Sequence, residues 1–470
     1  MAKPEKPLIV MKFGGTSVGS AERMQNVAEL VKEHSRRAEI AVVVSAMGGV
    51  TDMLIRAATE ASRGDREQWK SVRQEIARRH REVADRTLSA SEQAVALPRL
   101  AEQVGNFENL CSGFSLVREV TPRAMDTLSS LGEVMSATLL AAILRSQGVP
   151  AEAVDATELI VTDDKFGNAT PLFEETNQKT RARLASLRRR GEIPVITGFR
   201  GATLDGHCTT LGRGGSDYSG TLVGAALDAD EVWIWTDVDG VMTADPRLVP
   251  TAHIIPEISY REAIELSFFG AKVLHPKTIQ PVIKRKIPVW IKNTFNPSCP
   301  GTKIGPSAAN GKPGVKAITS VSKTQLITLT GRGNLTFASL ATKTFAALGA
   351  EEVDTLMVTQ SSADNVLCFA IRDSDLKCVK THLEKVFELE LLHDNRASIE
   401  VMPHVAIVVT IGENMKGTPG IAGKSFSALG RKGINIIAIA QGSSEISISF
   451  AVKASDVKEA VQAIHDEFQL

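Results

Sequence analysis

The sequence has 470 residues, of which 43% are hydrophobic and 23% are charged, an ordinary composition for a folded globular protein. Lysine and arginine number 54 and aspartate and glutamate also number 54, so the formal net charge is +0. This balance excludes the overall positive field that draws proteins to nucleic acids or anionic membranes, and the hydrophobic content excludes an intrinsically disordered chain. At roughly 150 residues per domain, the length predicts two to four domains.

The cysteines and the N-terminus predict a cytoplasmic protein. The five cysteines are scattered without a CxxC pair, which argues against a disulfide framework or a zinc ribbon. The apolar run from Leu8 to Met11 ends at Lys12 and is too short for the core of a signal peptide. No stretch is expected to approach the roughly 20 apolar residues of a membrane span. We therefore expect a reducing compartment and no membrane partner.

Strand and helix signals alternate through the first 300 or so residues. Short apolar runs bounded by glycine or polar residues predict buried strands, and the stretches between them have a helical rhythm. The strongest strand signals are LIVMKF (8–13), IAVVVSAMGG (40–49), IPVITGF (193–199) and EVWIWTD (231–237). Strands that are apolar on both faces are typical of parallel sheets covered by helices. The sequence therefore predicts an α/β domain with an open, mainly parallel sheet sandwiched by helices.

A change in composition and an internal repeat divide the rest of the chain. Residues 297–316 are rich in proline and glycine and lack apolar periodicity, so they are the best linker candidate. Behind them, TFAALGAEEVDTLMVTQSS (344–362) aligns without a gap with SFSALGRKGINIIAIAQGS (425–443). The sequence therefore predicts a first domain at 1–296 and two small α+β modules at 317–396 and 397–470.

Three glycine-rich or strand-end segments carry candidate chemistry. In KFGGTS (12–17), glycines before a helix let backbone N–H groups approach an anion and Lys12 adds a cation, which predicts a phosphate cradle. In TTLGRGGSDYSG (209–220), backbone donors surround Arg213, whose planar fork suits a carboxylate or phosphate. The third segment, IWTDVDGVMTADPR (234–247), follows a strand end, where α/β sheets bind ligands. Taken singly, the first two segments are also explained by ordinary tight turns.

Together these segments resemble the signature set of aspartate kinases, within the amino-acid kinase family. The matching motifs, in order, are KFGGTSV (12–18), SAMGGVT (45–51), LGE (131–133), TTLGRGGSD (209–217), WTDVDGV (235–241), TADPR (243–247) and FGAKVLHP (269–276). The tandem repeat is similar to the paired ACT modules of that family, which are ferredoxin-like and carry feedback by amino acids. The resemblance covers almost the whole chain and leaves no room for a homoserine dehydrogenase domain, so it implies a monofunctional enzyme.

The resemblance implies a particular reaction. The γ-phosphoryl group of ATP would pass to the side-chain carboxylate of L-aspartate and give 4-phospho-L-aspartate, the first step towards lysine, threonine, methionine or a specialised product. Mg²⁺ would be carried on the ATP phosphates, and no protein ligand for it is implied. Because the attacking carboxylate is already ionised, the reaction needs charge neutralisation and positioning and no general base.

The resemblance also implies roles for single residues. Lys12 would stabilise the transferring phosphoryl group, Asp217 would orient the Lys12 ammonium, and Arg213 would hold the α-carboxylate of aspartate. Glu133 would hold the α-amino group. The further contacts implied for aspartate and phosphate are Ser45, Thr51 and Ser216, and those for the nucleotide are Gly14, Gly15, Thr236, Asp237, Met242, Arg247 and Lys272. Met242 stands where relatives usually have tyrosine, so an apolar contact is kept and a hydroxyl is lost.

The repeat implies regulation by an amino-acid effector, lysine and/or threonine. GENMKGTPGIAG (412–423) resembles an ACT effector loop, within which Met415 and Ile421 are candidate contacts, and Asn435 and Gln441 belong to its facing strand. The first copy has Gln360 at the position of Gln441 but lacks the Pro-Gly pair, so we expect the second copy to keep the more family-like loop. ACT modules imply a homodimer or a dimer of dimers.

Two other functions stay open at this point. One is a kinase for another substrate, such as glutamate, acetylglutamate or a nucleotide, although Arg213 with Glu133 favours an unmodified α-amino acid. The other is an amino-acid sensor without kinase activity, which the presence of Lys12 and Asp217 disfavours. Nucleic-acid binding is not expected because no basic stripe or aromatic platform is present and aromatic residues make up only 5% of the chain.

Overall fold

The structure is a computed structural model that describes residues 6–270, 274–307, 314–361, 364–392 and 396–470. In chain order, the strands are β1 (Leu8–Phe13), β2 (Glu39–Val44), β3 (Ala151–Val154), β4 (Val161–Thr162), β5 (Ile193–Thr197), β6 (Arg200–Thr203), β7 (Cys208–Thr210), β8 (Glu231–Thr236), β9 (Glu257–Ser259), β10 (Val289–Asn293), β11 (Thr302–Gly305), β12 (Ala317–Gly331), β13 (Met357–Ser361), β14 (Val366–Arg372), β15 (Ala397–Ile411), β16 (Ala438–Gln441) and β17 (Ser447–Lys453). The α-helices are α1 (Ala21–Ser35), α2 (Val50–Arg63), α3 (Arg66–Thr87), α4 (Ala90–Val117), α5 (Pro122–Ser129), α6 (Leu131–Ser146), α7 (Phe173–Arg190), α8 (Gly215–Ala226), α9 (Tyr260–Phe268), α10 (Pro276–Ile283), α11 (Phe337–Ala350), α12 (Leu376–Val386), α13 (Glu388–Leu392), α14 (Ile421–Arg431) and α15 (Val457–Phe468).

The described residues divide into two compact units. The first unit comprises Met1–Val241, Pro256–Tyr260 and Val273–Ala308, and the second comprises Met242–Ile255, Arg261–Lys272 and Ala309–Leu470. This division differs from the contiguous boundary predicted at residue 296, because two segments from within 1–296 group with the C-terminal unit. The predicted linker 297–316 also differs, since it contains β11, a strand of the first unit's sheet.

The first unit is built on an eight-stranded sheet with the order β3-β5-β2-β1-β8-β10-β11-β9. All neighbours are parallel except β10 and β11. The residues of β1 alternate between two covered faces: Met11 and Phe13 join a core cluster with α1 and α6, while the stem of Lys12 lies against Gly220 of α8. The predicted α/β fold with helices on both faces is confirmed.

The segment Pro122–Ser146, which contains α5 and α6, is more apolar than predicted from the sequence. An 18-residue window within its 25 residues reaches a mean hydropathy of 1.5, so by length and composition the segment could cross a membrane, and the expectation that no stretch approaches a span was wrong. In the fold, 89% of the apolar window is buried within the protein. Helix α6 is apolar all round because it packs against strands β2, β3 and β5 and against helices α1, α3 and α4, as a core helix does.

The second unit carries both copies of the repeat on one antiparallel sheet with the order β13-β14-β12-β15-β17-β16. Strand β13 begins at Met357 and β16 at Ala438, and β14 begins at Val366 and β17 at Ser447, so equivalent strands keep the same spacing in both copies. Two helices of each copy pack together, α11 with α12 and α14 with α15. The predicted repeat of two α+β modules is therefore seen in the fold.

The two copies share strands at the centre of this sheet. The later half of β12 pairs with β14 of its own copy, whereas its first residues, Ala317 to Val321, pair only with β15. In the same way, the later half of β15 pairs with β17 and its first half pairs with the later half of β12. Each copy thus completes its four-stranded sheet with half a strand from the other.

Candidate active site

A cavity of about 400 Å³ lies in the first unit, at the edge of the sheet where the parallel strands end. Strands β1, β2 and β5 are neighbours, and the residues at or just after their carboxyl ends line the cavity: Lys12, Ser45 and Phe199. This edge is where open α/β sheets bind ligands. Eight of the predicted site residues line the cavity, namely Lys12, Gly15, Ser45, Thr51, Glu133, Arg213, Ser216 and Asp217.

Two helices begin at this cavity with first turns that lack side-chain caps. Helices α2 and α8 begin after Gly49 and Gly214 and have no hydrogen bond from a capping side chain, whereas α1, α3, α4 and α5 are capped by Ser20, Asp65, Ser89 and Thr121. Helix α6 continues from α5 through Ser130, so its first turn does not add a free N-terminus. The first N–H groups of a helix have no partner within the helix, and they carry the positive end of its dipole. Uncapped N-termini that converge on one cavity therefore form a binding site for an anion.

Lys12 and Asp217 form a buried ion pair at the cavity wall. The Nζ of Lys12 lies 2.5 Å from Oδ1 of Asp217, and Lys12 is only 7% exposed. Gly220 of α8 allows the close approach, because a Cβ there would lie 3.2 Å from Cβ of Lys12. The carboxylate in the first turn of α8 thus fixes the position of the ammonium group on β1.

Glu133 is a buried carboxyl group at the start of α6. It is 3% exposed, and its Oε2 atom has no hydrogen-bond partner among the residues that the structure describes. Burial raises the pKa of Glu133 to about 8, although backbone hydrogen bonds from Ala46 and Glu133 and the charges of Arg200 and Lys12 act in the opposite direction. A cationic ligand group beside Glu133 would satisfy this oxygen and favour its charged form.

Arg213 lies at the open side of the cavity on a glycine turn. It is exposed, and no ion pair is found for it within the described ranges. Gly212 and Gly214 on either side have φ values of 72°, which only glycine adopts easily, so the turn presents the guanidinium group without help from neighbouring side chains. Arg213 is therefore available for a carboxylate or phosphate of a ligand.

The two glycines of the first motif are not equivalent. The N–H of Gly14 donates to the carbonyl of Trp235 at 3.1 Å, so the prediction that Gly14 donates to a phosphate is not supported by this backbone arrangement. Gly15 makes no such bond in the described part of the chain, and its carbonyl accepts from Gly48 N. Of the two glycines, Gly15 is therefore the one whose N–H group can donate a hydrogen bond to a ligand.

Replacing Gly15 by alanine is expected to abolish anion binding at the cavity, whereas Gly14→Ala is the matched control. A Cβ on Gly15 would lie 2.8 Å from the carbonyl oxygen of Ala46, which would push the two loops apart. A Cβ on Gly14 would meet its nearest atoms at 3.5 and 3.6 Å, an ordinary contact. Isothermal titration calorimetry with ATP measures the difference in binding affinity between the two variants. Equal binding by both variants would contradict this steric account.

Only some of the predicted nucleotide contacts lie at the sheet edge that forms the cavity. Thr236 ends β8, the strand beside β1, and Asp237 follows it, so both lie at the same sheet edge as Gly15. Met242 and Arg247 belong to a segment of the second unit, where Met242 bridges Ile254 and the exposed Arg247 bonds to Asp245. Lys272 lies outside the described residues. Thr236, Asp237 and the two residues of the second unit are not among those that line the cavity.

The cavity also contains residues that the sequence did not single out. Asp52, in the first turn of α2, adds a second carboxylate to that of Asp217, and the motif SAMGGVT ends one residue before it. Phe199 adopts a φ of 69°, which is unusual for a residue other than glycine. Such backbone strain is common at functional sites, but no pattern in the sequence predicts it.

The predicted effector residues fall into two groups. Met415 and Ile421 are buried in the hydrophobic core of the second copy, so the prediction that they contact an effector is not supported by their packing. Asn435, Gln441 and Gln360 are exposed. Gln360 and Gln441 lie on the edge strands β13 and β16, which also contact each other.

No metal-binding group of three or more histidine, cysteine, aspartate or glutamate side chains is found within the described ranges. The cavity does offer positive charge from Lys12, Arg213 and the helix N-termini. These residues fit a polyanionic ligand.

Comparison with known proteins identifies the fold family. Residues 7–293 match the model of the amino acid kinase family, and residues 408–468 match an ACT domain. The chain is 35% identical over 466 residues to the chloroplastic bifunctional aspartokinase/homoserine dehydrogenase 1 of Zea mays, a match that covers 98% of this chain and 50% of that protein. It is 35% identical over 483 residues to the chloroplastic aspartokinase 3 of Arabidopsis thaliana, covering 99% and 82%.

Solved structures give the same result. The E. coli aspartokinase III complex with aspartate and ADP, in the R-state, matches with a TM-score of 0.83 and 28% identity, over 98% of this chain and 100% of that one. The Clostridium acetobutylicum aspartate kinase matches with a TM-score of 0.78 and 29% identity, over 98% and 100%. The chain spans about half the length of the bifunctional relatives that it matches. The chain belongs to the amino acid kinase family.

Proposed function

We propose that this protein is an aspartate kinase, which transfers the γ-phosphoryl group of ATP to the side-chain carboxylate of L-aspartate. One observation carries the proposal: Lys12 with Asp217, Arg213 and Glu133 line a single cavity at which the uncapped helices α2 and α8 begin. Cations and helix ends suit the phosphates, and the opposed charges of Arg213 and Glu133 suit an unmodified α-amino acid. We assign the catalytic domain to 1–296 in sequence, with the modules at 317–396 and 397–470 as regulatory.

The comparisons support this choice of substrates. The E. coli aspartokinase III structure holds aspartate and ADP, and the Arabidopsis thaliana relative is named aspartokinase 3. A kinase for acetylglutamate is less favoured, because an acetylated amino group would bring no positive charge to Glu133. Glutamate keeps its ammonium group, and the assay below distinguishes it from aspartate. An inactive sensor is less favoured too, because the Lys12–Asp217 pair is intact.

In the proposed reaction, a carboxylate oxygen of aspartate forms a bond to the γ-phosphorus as the bond to the β–γ bridging oxygen breaks. The acceptor is already ionised, so no residue needs to remove a proton. Lys12 neutralises negative charge on the transferring group, and Asp217 keeps the ammonium group in place. Arg213 binds the α-carboxylate, Glu133 binds the α-ammonium group, and Ser45, Thr51 and Ser216 complete the polar wall.

The nucleotide is proposed to lie at the ends of β1 and β8. Gly15 would donate its N–H to a phosphate, and Thr236 and Asp237 would contact the nucleotide beyond it. We retain Met242, Arg247 and Lys272 as proposed contacts on the strength of the sequence motifs alone. Mg²⁺ would arrive on the ATP phosphates, where it screens their charge.

The test is ATP- and Mg²⁺-dependent formation of aspartyl phosphate, trapped as the hydroxamate with hydroxylamine. Glutamate, acetylglutamate and buffer without amino acid are the controls. We expect product with aspartate alone. Product with another acceptor would move the assignment to that substrate, and ATP binding without any product would favour the sensor.

The second copy of the repeat is proposed as an effector site for lysine and/or threonine. The E. coli aspartokinase III structure in the T-state holds lysine and aspartate, and residues 408–468, within the second copy, match the ACT family model. The polar, exposed residues Asn435 and Gln441 are the proposed contacts, with Gln360 on the neighbouring edge strand. Burial of Met415 and Ile421 makes them supports of the loop.

Replacing Gln441 by alanine is expected to raise the effector concentration for half inhibition by about tenfold, the effect of roughly 1.4 kcal/mol of binding energy. Gln360→Ala should have a smaller effect, because its copy lacks the Pro-Gly loop. Gln462→Ala, on the surface of α15, is the control for a change of exposed glutamine. Inhibition curves with lysine, threonine and both measure the shifts. Equal loss in both variants, or none, would count against an effector role confined to the second copy.

The assembly and the compartment are also proposals. Strands β13 and β16 carry the exposed apolar side chains of Val358 and Ile439, and this surface is proposed to contact a second chain in a homodimer or dimer of dimers. The five cysteines are all free thiols, which fits a reducing compartment such as the cytoplasm.

A further inference from the structure

Asp126 is a buried carboxyl group that the proposed reaction does not use. It lies on α5, is 1% exposed and accepts three hydrogen bonds from two different loops. Its Oδ2 accepts from the backbone N–H of Gly167 at 2.8 Å and of Thr210 at 2.9 Å, and its Oδ1 accepts from the hydroxyl of Thr210 at 2.7 Å. Burying a carboxyl group is unfavourable unless it is hydrogen-bonded, and these three bonds supply the partners that Asp126 needs.

These bonds reach the turn that presents Arg213. Thr210 is the last residue of β7 and stands three positions before Arg213, and its carbonyl accepts from Ala169 N at 2.9 Å. The loop that contains Gly167 also touches the turn directly, because a Cβ on Gly212 would lie 2.7 Å from Oδ1 of Asn168. Asp126 therefore clamps both the strand that leads into the turn and the loop against which the turn rests.

We propose that Asp126 is a positioning residue that sets the place of Arg213 and thereby the affinity for the acceptor amino acid. The clamp acts on the side of the cavity formed by β7 and its loop, whereas Lys12 lies on β1 and pairs with Asp217 of α8. The inference rests on the proposed function, since it assigns Arg213 to the α-carboxylate of aspartate. It predicts a selective defect: KM for aspartate rises and KM for ATP does not.

The experiment compares four variants. Asp126→Ala removes all three bonds and should raise KM for aspartate by about tenfold or more, the effect of losing hydrogen bonds worth about 1.4 kcal/mol in total at the binding step. Asp126→Asn should stay within about threefold of the wild type, because its amide oxygen can accept from both N–H groups and its NH₂ can donate to the hydroxyl of Thr210. Thr210→Val removes one bond and should fall between them.

Thr209→Val is the matched control. Thr209 precedes Thr210 on β7, is equally buried, and bonds to the hydroxyl of Thr162 at 2.7 Å and not to Asp126. It should leave KM for aspartate unchanged even if it lowers the melting temperature. If Asp126→Ala does not fold, the Thr210→Val and Thr209→Val pair still separates positioning from stability.

The outcomes are distinguishable. A selective rise in KM for aspartate, rescued in Asp126→Asn, supports the inference. An unchanged KM, or equal rises in both KM values, overturns it while the wild type still makes aspartyl phosphate. A wild-type protein that makes no aspartyl phosphate overturns the proposed function itself.

Discussion

Replacing Lys12 by methionine is expected to lower kcat for aspartyl phosphate formation by about a thousandfold, while KM for aspartate changes little. The ammonium group of Lys12 is held at 2.5 Å from Asp217 in a nearly buried position, so it acts on developing charge without first having to be ordered. Preorganised charges of this kind are typically worth a factor of about 100 to 1,000 in kcat. Methionine keeps the stem that packs on α8 and removes only the charge.

Asp217→Asn tests whether the pair acts as a unit. It should lower kcat by a smaller factor, and the double variant should be hardly worse than Lys12→Met, because Asp217 works through Lys12. Lys303→Met removes an exposed lysine from β11 of the same sheet and should leave kcat unchanged. A Lys12→Met enzyme that retains more than about a tenth of wild-type kcat, or additive effects in the double variant, would contradict this role.

The second large effect is expected for Glu133→Gln. This substitution should weaken aspartate binding but raise the free energy of unfolding at high pH. The pKa of Glu133 is raised to about 8 by burial, so in the free protein the carboxyl group is largely neutral below this pH. The aspartate ammonium group needs the charged form. Apparent KM for aspartate should therefore fall as pH rises through about 8, and Glu133→Gln should lose aspartate affinity at every pH and lose this pH dependence as well.

The sign of the stability effect follows from linkage. Because the pKa is higher in the folded state than in the unfolded state, the folded protein binds more protons between about pH 4.5 and pH 8. The free energy of unfolding therefore decreases as pH rises through this window. Glu133→Gln cannot become charged, so we expect it to be more stable than the wild type at pH 9, by an amount on the order of 2 kcal/mol. Thermal unfolding at pH 5 and pH 9 measures the difference.

Glu262→Gln is the contrasting control. Glu262 is 1% exposed but lies in the second unit, where it accepts from Lys316 Nζ at 3.1 Å and from Glu413 N at 2.7 Å. Removing the charge of a residue in a buried ion pair leaves the other charge poorly compensated, so this variant should lose stability. If Glu133→Gln were also destabilised at pH 9, the burial account of its pKa would be wrong.

The sequence predicts the site well where a motif follows a strand. Lys12, Ser45 and the glycine turn around Arg213 come to one cavity because parallel strands share a carboxyl edge, so residues far apart in the chain meet without any local signal between them. The motif does not distinguish Gly14 from Gly15, because a dipeptide of glycines does not reveal which N–H group bonds to the neighbouring strand. The positive φ of Phe199 has no signature in composition either.

The pairing of strands that are distant in the chain could not be predicted from the sequence. The 81-residue spacing between the copies, visible between Val366 and Ser447, indicates two modules, but not that β12 and β15 pair with each other along their lengths. Nor does it show that 242–255 and 261–272 pack with the second unit. Both facts depend on contacts between segments that are distant in the chain. An apolar pattern shows which face of a strand or helix is buried, but it does not show which segment packs against that face.

The shared strands of the second unit have a consequence for how such a sheet can arise. Two separate chains, each with a single copy, could form the same pairing around a two-fold axis, with the first strand of each chain crossing into the other. Joining the copies in one polypeptide turns that bimolecular association into an intramolecular one, with a high and fixed effective concentration. The central interface then persists at any dilution, and the two halves, no longer required to be identical, are free to diverge. The Pro-Gly pair stands in one copy alone, a difference that a symmetric dimer of identical chains could not have.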